Sequence, residues 1–171
     1  MVFAGFLLVE KFEFSLIQVT SLFLLNALFN IWLAAIVGKL IVKFGERAAL
    51  VFEYVGLIWV FVAYAFVESA AFAAGLYVID HMFFAFSIAI KTYFQKIGDP
   101  KDIESTESVA FTINHIAAVV IPVTFGFLWL INPAMVFLAG AAMALMSLVL
   151  SLNVPRQPHS GNEVVFGVGE R

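Results

Sequence analysis

Apolar residues run along this chain in five long blocks, at 16–37, 48–67, 70–90, 109–131 and 134–152, each closed by polar or charged punctuation. A helix rises about 1.5 Å per residue, so each block reaches about 28–35 Å, enough to cross the hydrocarbon of a bilayer. The pattern predicts an all-α, polytopic membrane helix bundle with five full transmembrane helices, filling a domain over residues 10–152. Pro122 falls inside the fourth block. Neighbouring helices in a membrane can re-satisfy the carbonyl it frees, so a bend is expected there and not an end. The opening stretch MVFAGFLLV, residues 1–9, is apolar but too short to span. It lacks the basic n-region and cleavage site of a signal peptide. It reads as the end of a truncated transmembrane helix, which makes the chain a fragment or one begun at an internal Met. Residues 153–171, rich in Pro, Gly and charge, read as a disordered tail.

Composition agrees with a membrane class. Hydrophobic residues make up 63% of the chain and charged residues 12%, about half the charged share of soluble domains. There are 20 Phe and no Cys, which excludes a disulfide, a thiolate metal site and a cysteine nucleophile. The net charge of −3 argues against nucleic acid as a partner. Placement of charge says more than its sum. Lys39, Lys43, Arg47, Lys91, Lys96, Lys101, Arg156 and Arg171 fall on one side of the alternating spans and only Lys11 on the other, which accounts for all nine bases. The positive-inside rule puts the loops at 38–47 and 91–108, and the tail, in the cytoplasm. The expected location is the plasma membrane, or the inner membrane of a bacterium, with the C-terminus cytoplasmic.

Polar residues are unevenly shared among the spans. LYVIDHMFFAF, residues 76–86, places Asp80 and His81 in the middle of the third. A charge facing lipid at that depth costs at least about 2.5–3.5 kcal/mol, so something other than lipid must face them. Tyr77, Asp80, Phe84, Ser87 and Lys91 recur at three- and four-residue steps and make one stripe. The first span carries Gln18, Asn26 and Asn30, the last two sharing a face. The fourth carries Thr112, Asn114 and His115. In the second span Glu53 and Glu68 lie towards the ends, and the fifth has no ionisable residue but a small-xxx-small pair, Gly140 and Ala144, suited to helix packing. Three helices lining a wet cavity and two outer helices buffering lipid is the simplest arrangement. Interhelical hydrogen bonding is the competing reading for the Asn and Thr residues taken singly. Lys91 reads as a snorkelling anchor and the Phe excess as lipid-facing bulk.

The basic loop reads GKLIVKFGER, residues 38–47. It resembles the loop signature of the major facilitator superfamily, with Gly38, Leu40, Lys43, Phe44, Gly45 and Arg47 at matching positions, Val42 where the family has an acid and Glu46 where it has a base. The first glycine would let two helices approach, the second would make the reversal, and the bases would hold the loop inside. If this is the loop between that family's eighth and ninth helices, the five spans are helices eight to twelve and residues 1–9 are the end of helix seven. The resemblance implies that helices eight, ten and eleven line a pathway and that nine and twelve lie outside, the same division as the polar and apolar spans.

The reading is the C-terminal half of a secondary active transporter, moving a small solute by alternating access against an N-terminal half. Asn26, Asn30, Asp80, His81, Asn114 and His115 are the candidates for the substrate or proton pathway, and Gly38, Lys43, Gly45 and Arg47 for the loop motif. By rise per residue Asn26 and Asp80 sit about 15 Å below the outer boundary, and Asn30 and His115 about 21 Å below it, which predicts two polar tiers. Asp80 or a histidine would carry a coupling proton. The reading calls for no cofactor, no metal and no catalytic residue. The alternative is a membrane-embedded haem or redox subunit with His81 and His115 as axial ligands, or another non-transport helical membrane protein. Depth opposes the haem: the two histidines are offset by several Å along the span. An intramembrane enzyme has no Ser–His or paired-acid motif here, and Asp80 with His115 lacks a nucleophile.

Overall fold

The computed structural model describes residues 2–166. Among them the chain forms seven α-helices and no strand: α1 Val2–Glu10, α2 Leu16–Phe44, α3 Glu46–Ala65, α4 Ala70–Phe84, α5 Ile88–Ile97, α6 Pro100–Ile131 and α7 Pro133–Ser151. A 3-10 turn over Ala85–Ser87 joins α4 to α5, so the two run on as one rod. Five units are long and apolar enough to cross a membrane, α2, α3, the α4–α5 rod, α6 and α7. The chain is an all-helical, multi-pass membrane protein.

Local sequence sets the helix ends. Ser15 caps α2 through a capping box: its hydroxyl accepts the Gln18 N–H at 3.3 Å, and the Gln18 side chain accepts the Ser15 N–H at 2.8 Å. Asp99 and Asn132 cap α6 and α7 by accepting the N–H two residues on, and each is followed by a proline pre-set for the first helical position. Helix α6 continues through Pro122.

The inter-span connections are far shorter than the sequence suggests. The segment 38–47 is mostly helix: Val37 and Ile41 lie on one buried face of α2, and nothing breaks it before Gly45. Gly45 alone reverses the chain, at φ +87°. The segment 91–108 is likewise helical except at Gly98 and Asp99.

Two apolar cores hold the bundle. One gathers Leu7 and Leu8 of α1, Val60 and Tyr64 of α3, Leu76 and Tyr77 of α4, Trp129 of α6 and Phe137 of α7. The other lies at the lysine-rich end and joins Val37 and Ile41 of α2, Leu50 of α3, Phe86, Ala89 of α5 and Val154 beyond α7. Helix α3 is central. It packs most extensively against α7, and against α4, α2 and α5 as well. Helix α6 meets mainly α7 and has one buried residue, Trp129. The two spans expected outermost are therefore the most tightly paired within the chain, and the polar-bearing α2 and α6 are the most exposed.

From Asn153 to Phe166 the chain folds back on the bundle, where the sequence suggests a disordered tail. Val165 N–H donates to Asn153 O at 2.8 Å, Asn153 Nδ2 donates to Phe166 O at 3.2 Å, and the Tyr93 hydroxyl donates to Glu163 O. Val154, Pro155 and Pro158 are buried. Apolar side chains and satisfied backbone groups remove the reason for disorder. Residues 167–171 lie outside the described residues.

Candidate functional site

On α4, Ala73, Leu76, Tyr77 and Asp80 are all buried and spaced by three, one and three residues. Asp80 thus continues a core-facing stripe and turns inward, away from lipid, with 1% of its surface exposed. Opposite it, the buried residues of α2 are Asn26, Val37 and Ile41. Asn26 Nδ2 donates to Tyr77 O at 3.5 Å, linking α2 to α4 one turn from Asp80. Asn30 Nδ2 donates back to Asn26 O at 3.0 Å. From α3 comes Tyr64, its ring stacked on Phe137 with centroids 5.0 Å apart.

Three oxygens of this group have no hydrogen-bond partner among the described residues: Asn26 Oδ1, Tyr64 Oη and Asp80 Oδ2. Leaving a buried polar atom unpaired costs about 1–3 kcal/mol, and α2, α3 and α4 each carry one.

His81 is half-buried; its Nδ1 lies 2.8 Å from Tyr77 O and its ring 4.6 Å from the Tyr77 ring. The structure thus gathers Asn26, Asn30, Asp80 and His81 around α2 and α4. Asn114 and His115 are exposed on α6. His115 Nδ1 lies 2.9 Å from Phe111 O of its own helix. Among the described residues no hydrogen bond or ion pair joins Asn114 or His115 to the α2–α4 group. No three His, Asp or Glu side chains converge among the described residues.

The lysine-rich end carries a second cluster. Glu46, the first residue of α3, is 1% exposed and meets Lys96 Nζ at 2.6 Å. A cavity of about 390 Å³ beside them is lined by Lys43, Gly45, Glu46, Lys96, Arg156 and neighbouring residues. Of the loop-motif residues, Gly45 makes the reversal, and Lys43 places its ammonium 5.1 Å from the Phe44 ring centre. Arg47 is half-buried in the first turn of α3. Gly38 lies inside α2 with nothing within 4 Å of where a Cβ would stand, so it permits no close helix approach here. The close approach is at Gly56, where a Cβ would stand 2.2 Å from the Phe83 ring.

Sequence reasoning overlooked Tyr64, Glu46 and Lys96, and placed Glu53 near a span end although it is 3% exposed inside the bundle. For Glu46, Glu53 and Tyr64 the signal is the stripe Glu46, Ala49, Leu50, Glu53, Gly56, Leu57, Val60 and Tyr64, the buried face of α3, read outward from the small Gly56.

The chain matches no protein-family model, no curated protein and no solved structure.

Proposed function

We propose that this chain is the C-terminal half of a secondary active transporter of the major facilitator type, moving a small solute by alternating access. The carrying observation is Asp80, a carboxylate held in the interior of spanning helices beside Asn26, with an oxygen left unpaired. Groups of this kind inside a membrane protein are costly and mark ion and substrate pathways. The exposure of α2 and α6 supports the same reading. Asn30, Asn114 and His115 sit on helices that the rest of the chain covers poorly, and an N-terminal half packed over them would turn their polar faces into the second wall of a cavity. In this reading Asn26, Asn30, Asp80, His81, Asn114 and His115 line the pathway and Asp80 carries the coupling charge. Gly45 with Lys43 and Arg47 form the reversal of the inner loop, and Gly38 continues α2 above it. The two halves rock about the site. In this reading the end of the bundle that carries the bases at 39–47 and 91–101 faces the cytoplasm of a plasma membrane, as the positive-inside rule favours. No catalytic step and no cofactor enter the cycle; the partners are the other half, the bilayer and the solute.

The test is uptake of a panel of labelled solutes by cells that express this chain within its natural gene product. Asp80→Asn is expected to abolish concentrative uptake of the transported solute and to leave exchange partly intact, because the site still binds while the coupling charge is gone. Accumulation by the variant as steep as by the native carrier would make Asp80 structural. The 171-residue chain alone in liposomes is expected to transport nothing.

A further inference from the structure

We propose that the cavity at the lysine-rich end, with an apolar groove beside it, binds one anionic phospholipid, its phosphate in the cavity and an acyl chain in the groove. The first ground is charge. The cavity measures about 390 Å³, within the range of about 300–1,000 Å³ in which small groups are held. Three bases line it, Lys43, Lys96 and Arg156, against one acid, Glu46. Lys96 answers Glu46 at 2.6 Å, while Lys43 and Arg156 make no ion pair among the described residues. Two positive charges are thus left over around one space. Both side chains are exposed, so they can turn to a headgroup without giving up an ion pair. Basic pockets at the ends of spanning helices hold acidic headgroups in this way, and each base near the membrane surface adds to the attraction.

The second ground is how the fold builds the cavity. Its bases come from three separate parts of the chain. Lys43 is in the last turn of α2, Lys96 in the last turn of α5, and Arg156 in the segment that folds back beyond α7. The Arg156 carbonyl stands 3.3 Å from the place of a Cβ on Gly45, so the fold-back sets this base beside the chain reversal. A run of bases along one helix would be a solvated face. Three segments meeting around one cavity enclose a ligand.

The third ground separates a lipid from a free phosphate. A second cavity, of about 270 Å³, is lined only by apolar residues: Leu40, Phe44, Ala48, Ala49, Phe52 and Phe86. The two cavities share Phe44. Ala48, Ala49 and Phe52 lie in the first two turns of α3, so the groove leads away from the reversal and into the span. Phe44 and Phe52 are 61% and 56% exposed. A free anion would use the polar cavity alone. An amphiphile uses both, and burial of its chain against these rings adds to the attraction of the bases.

The site needs only a bundle that spans a membrane and does not rest on the transporter reading. The experiment uses the 171-residue chain, immobilised in neutral detergent micelles sparsely doped with radiolabelled phosphatidylglycerol. The native chain should retain the label saturably, at one lipid per chain. Unlabelled phosphatidylglycerol should displace it, and phosphatidylcholine, whose headgroup carries no net charge, should displace it far less. Inorganic phosphate, which has no acyl chain, should compete only weakly. Lys43→Gln and Arg156→Gln, both at exposed positions, should each weaken half-saturation about fivefold. Ala48→Phe, which narrows the groove from an exposed position, should weaken it as well. Lys101→Gln makes the same charge change at an exposed base outside the cavity and should leave half-saturation unchanged. A native chain that retains no label overturns the proposal. So does equal displacement by phosphatidylcholine, which would show that charge is not read. A loss in Lys101→Gln as large as in Arg156→Gln overturns the cavity as the site, and inorganic phosphate that displaces the label as well as the lipid does overturns the lipid as its occupant.

Discussion

Removing Lys96 should hurt this bundle more than removing the acid it pairs with. Glu46 is 1% exposed and Lys96 about half exposed, with 2.6 Å between Nζ and Oε1. Breaking a fully buried pair costs about 3–5 kcal/mol because an uncompensated charge is left behind. A solvent-exposed pair is worth about 0.2–1 kcal/mol. Lys96 sees water and Glu46 does not, so Lys96→Met should fall between, at about 1–3 kcal/mol. The loss is tempered by the N-terminus of α3, whose dipole favours a carboxylate by about 0.3–1 kcal/mol. Glu46→Gln removes the buried charge and frees Lys96 to turn to solvent, so its cost should be about 0–1 kcal/mol. Glu46→Gln with Lys96→Met together should cost no more than Glu46→Gln alone. Arg156 lines the same cavity, so each variant is also read on an Arg156→Ala background, where a substitute base is gone. The assay is reversible unfolding of the detergent-solubilised chain, with the coupling taken from the double-mutant cycle. Equal and small effects of Lys96→Met and Glu46→Gln would refute the argument, since they would mean that Glu46 reaches water by another route.

Gly45→Ala should destabilise the chain by about 1–3 kcal/mol, because φ +87° with ψ 161° is a conformation open essentially to glycine alone; its new Cβ would also stand 3.3 Å from Arg156 O, and unchanged stability would show that the reversal can be made another way. Trp129→Phe keeps an aromatic ring but removes the donor that meets Glu10 Oε2 at 2.7 Å; a loss of about 1–3 kcal/mol, with faster amide exchange in α1, is expected, and unaltered α1 protection would contradict it. The Glu163 carboxylate accepts the Gly161 N–H, which together with a bond to its own N–H and the nearby His159 holds its pKa below the ordinary 4.5. Its contribution to the turn at 159–163 is present above pH 4.5 and lost as pH falls through the lowered value, so amide exchange at Gly161 should accelerate only in that acid window and not in Glu163→Gln.

Hydropathy alone was enough to count the spans, because the length of an apolar block is a direct measure of what it can cross. Asp80 was also legible as inward-facing, since it recurs with Tyr77 at a helical step and a carboxylate has few other places to go. The ends were less readable. Lys39 and Lys43 look like a loop when charge is taken as punctuation, yet Val37 and Ile41 keep one face of α2 apolar until Gly45. Helices α6 and α7 begin ahead of their apolar blocks, at Pro100 and Pro133, each just after a capping side chain, Asp99 or Asn132. Tyr64 and Glu53 were hidden for a different reason. Helix α3 is apolar nearly all round, so periodicity does not reveal which face meets its neighbours; the small Gly56, seated against Phe83, does.

The same reasoning explains why polar content separated the spans into two sets while the apolar pair, α3 and α7, packs most closely within this chain. In water an apolar helix is driven inward, whereas in a bilayer lipid tails receive it equally well. Helix association then depends on shape and on polar groups that need partners. Helices α3 and α7 have the shape: Gly140 admits the Phe61 ring, Tyr64 stacks on Phe137, and Ala141 and Ala144 lie on the buried face of α7. They pair closely with hardly any polar contact. Helix α6 has the polar groups, Asn114 and His115, but they remain exposed on its surface. Each side chain that needs a partner and lacks one here is a demand on something outside the chain. Asp80 and Asn26 differ from them in being fully enclosed. Their surroundings are set by the packing of α2 against α4 inside the bundle, not by a second protein surface laid over it.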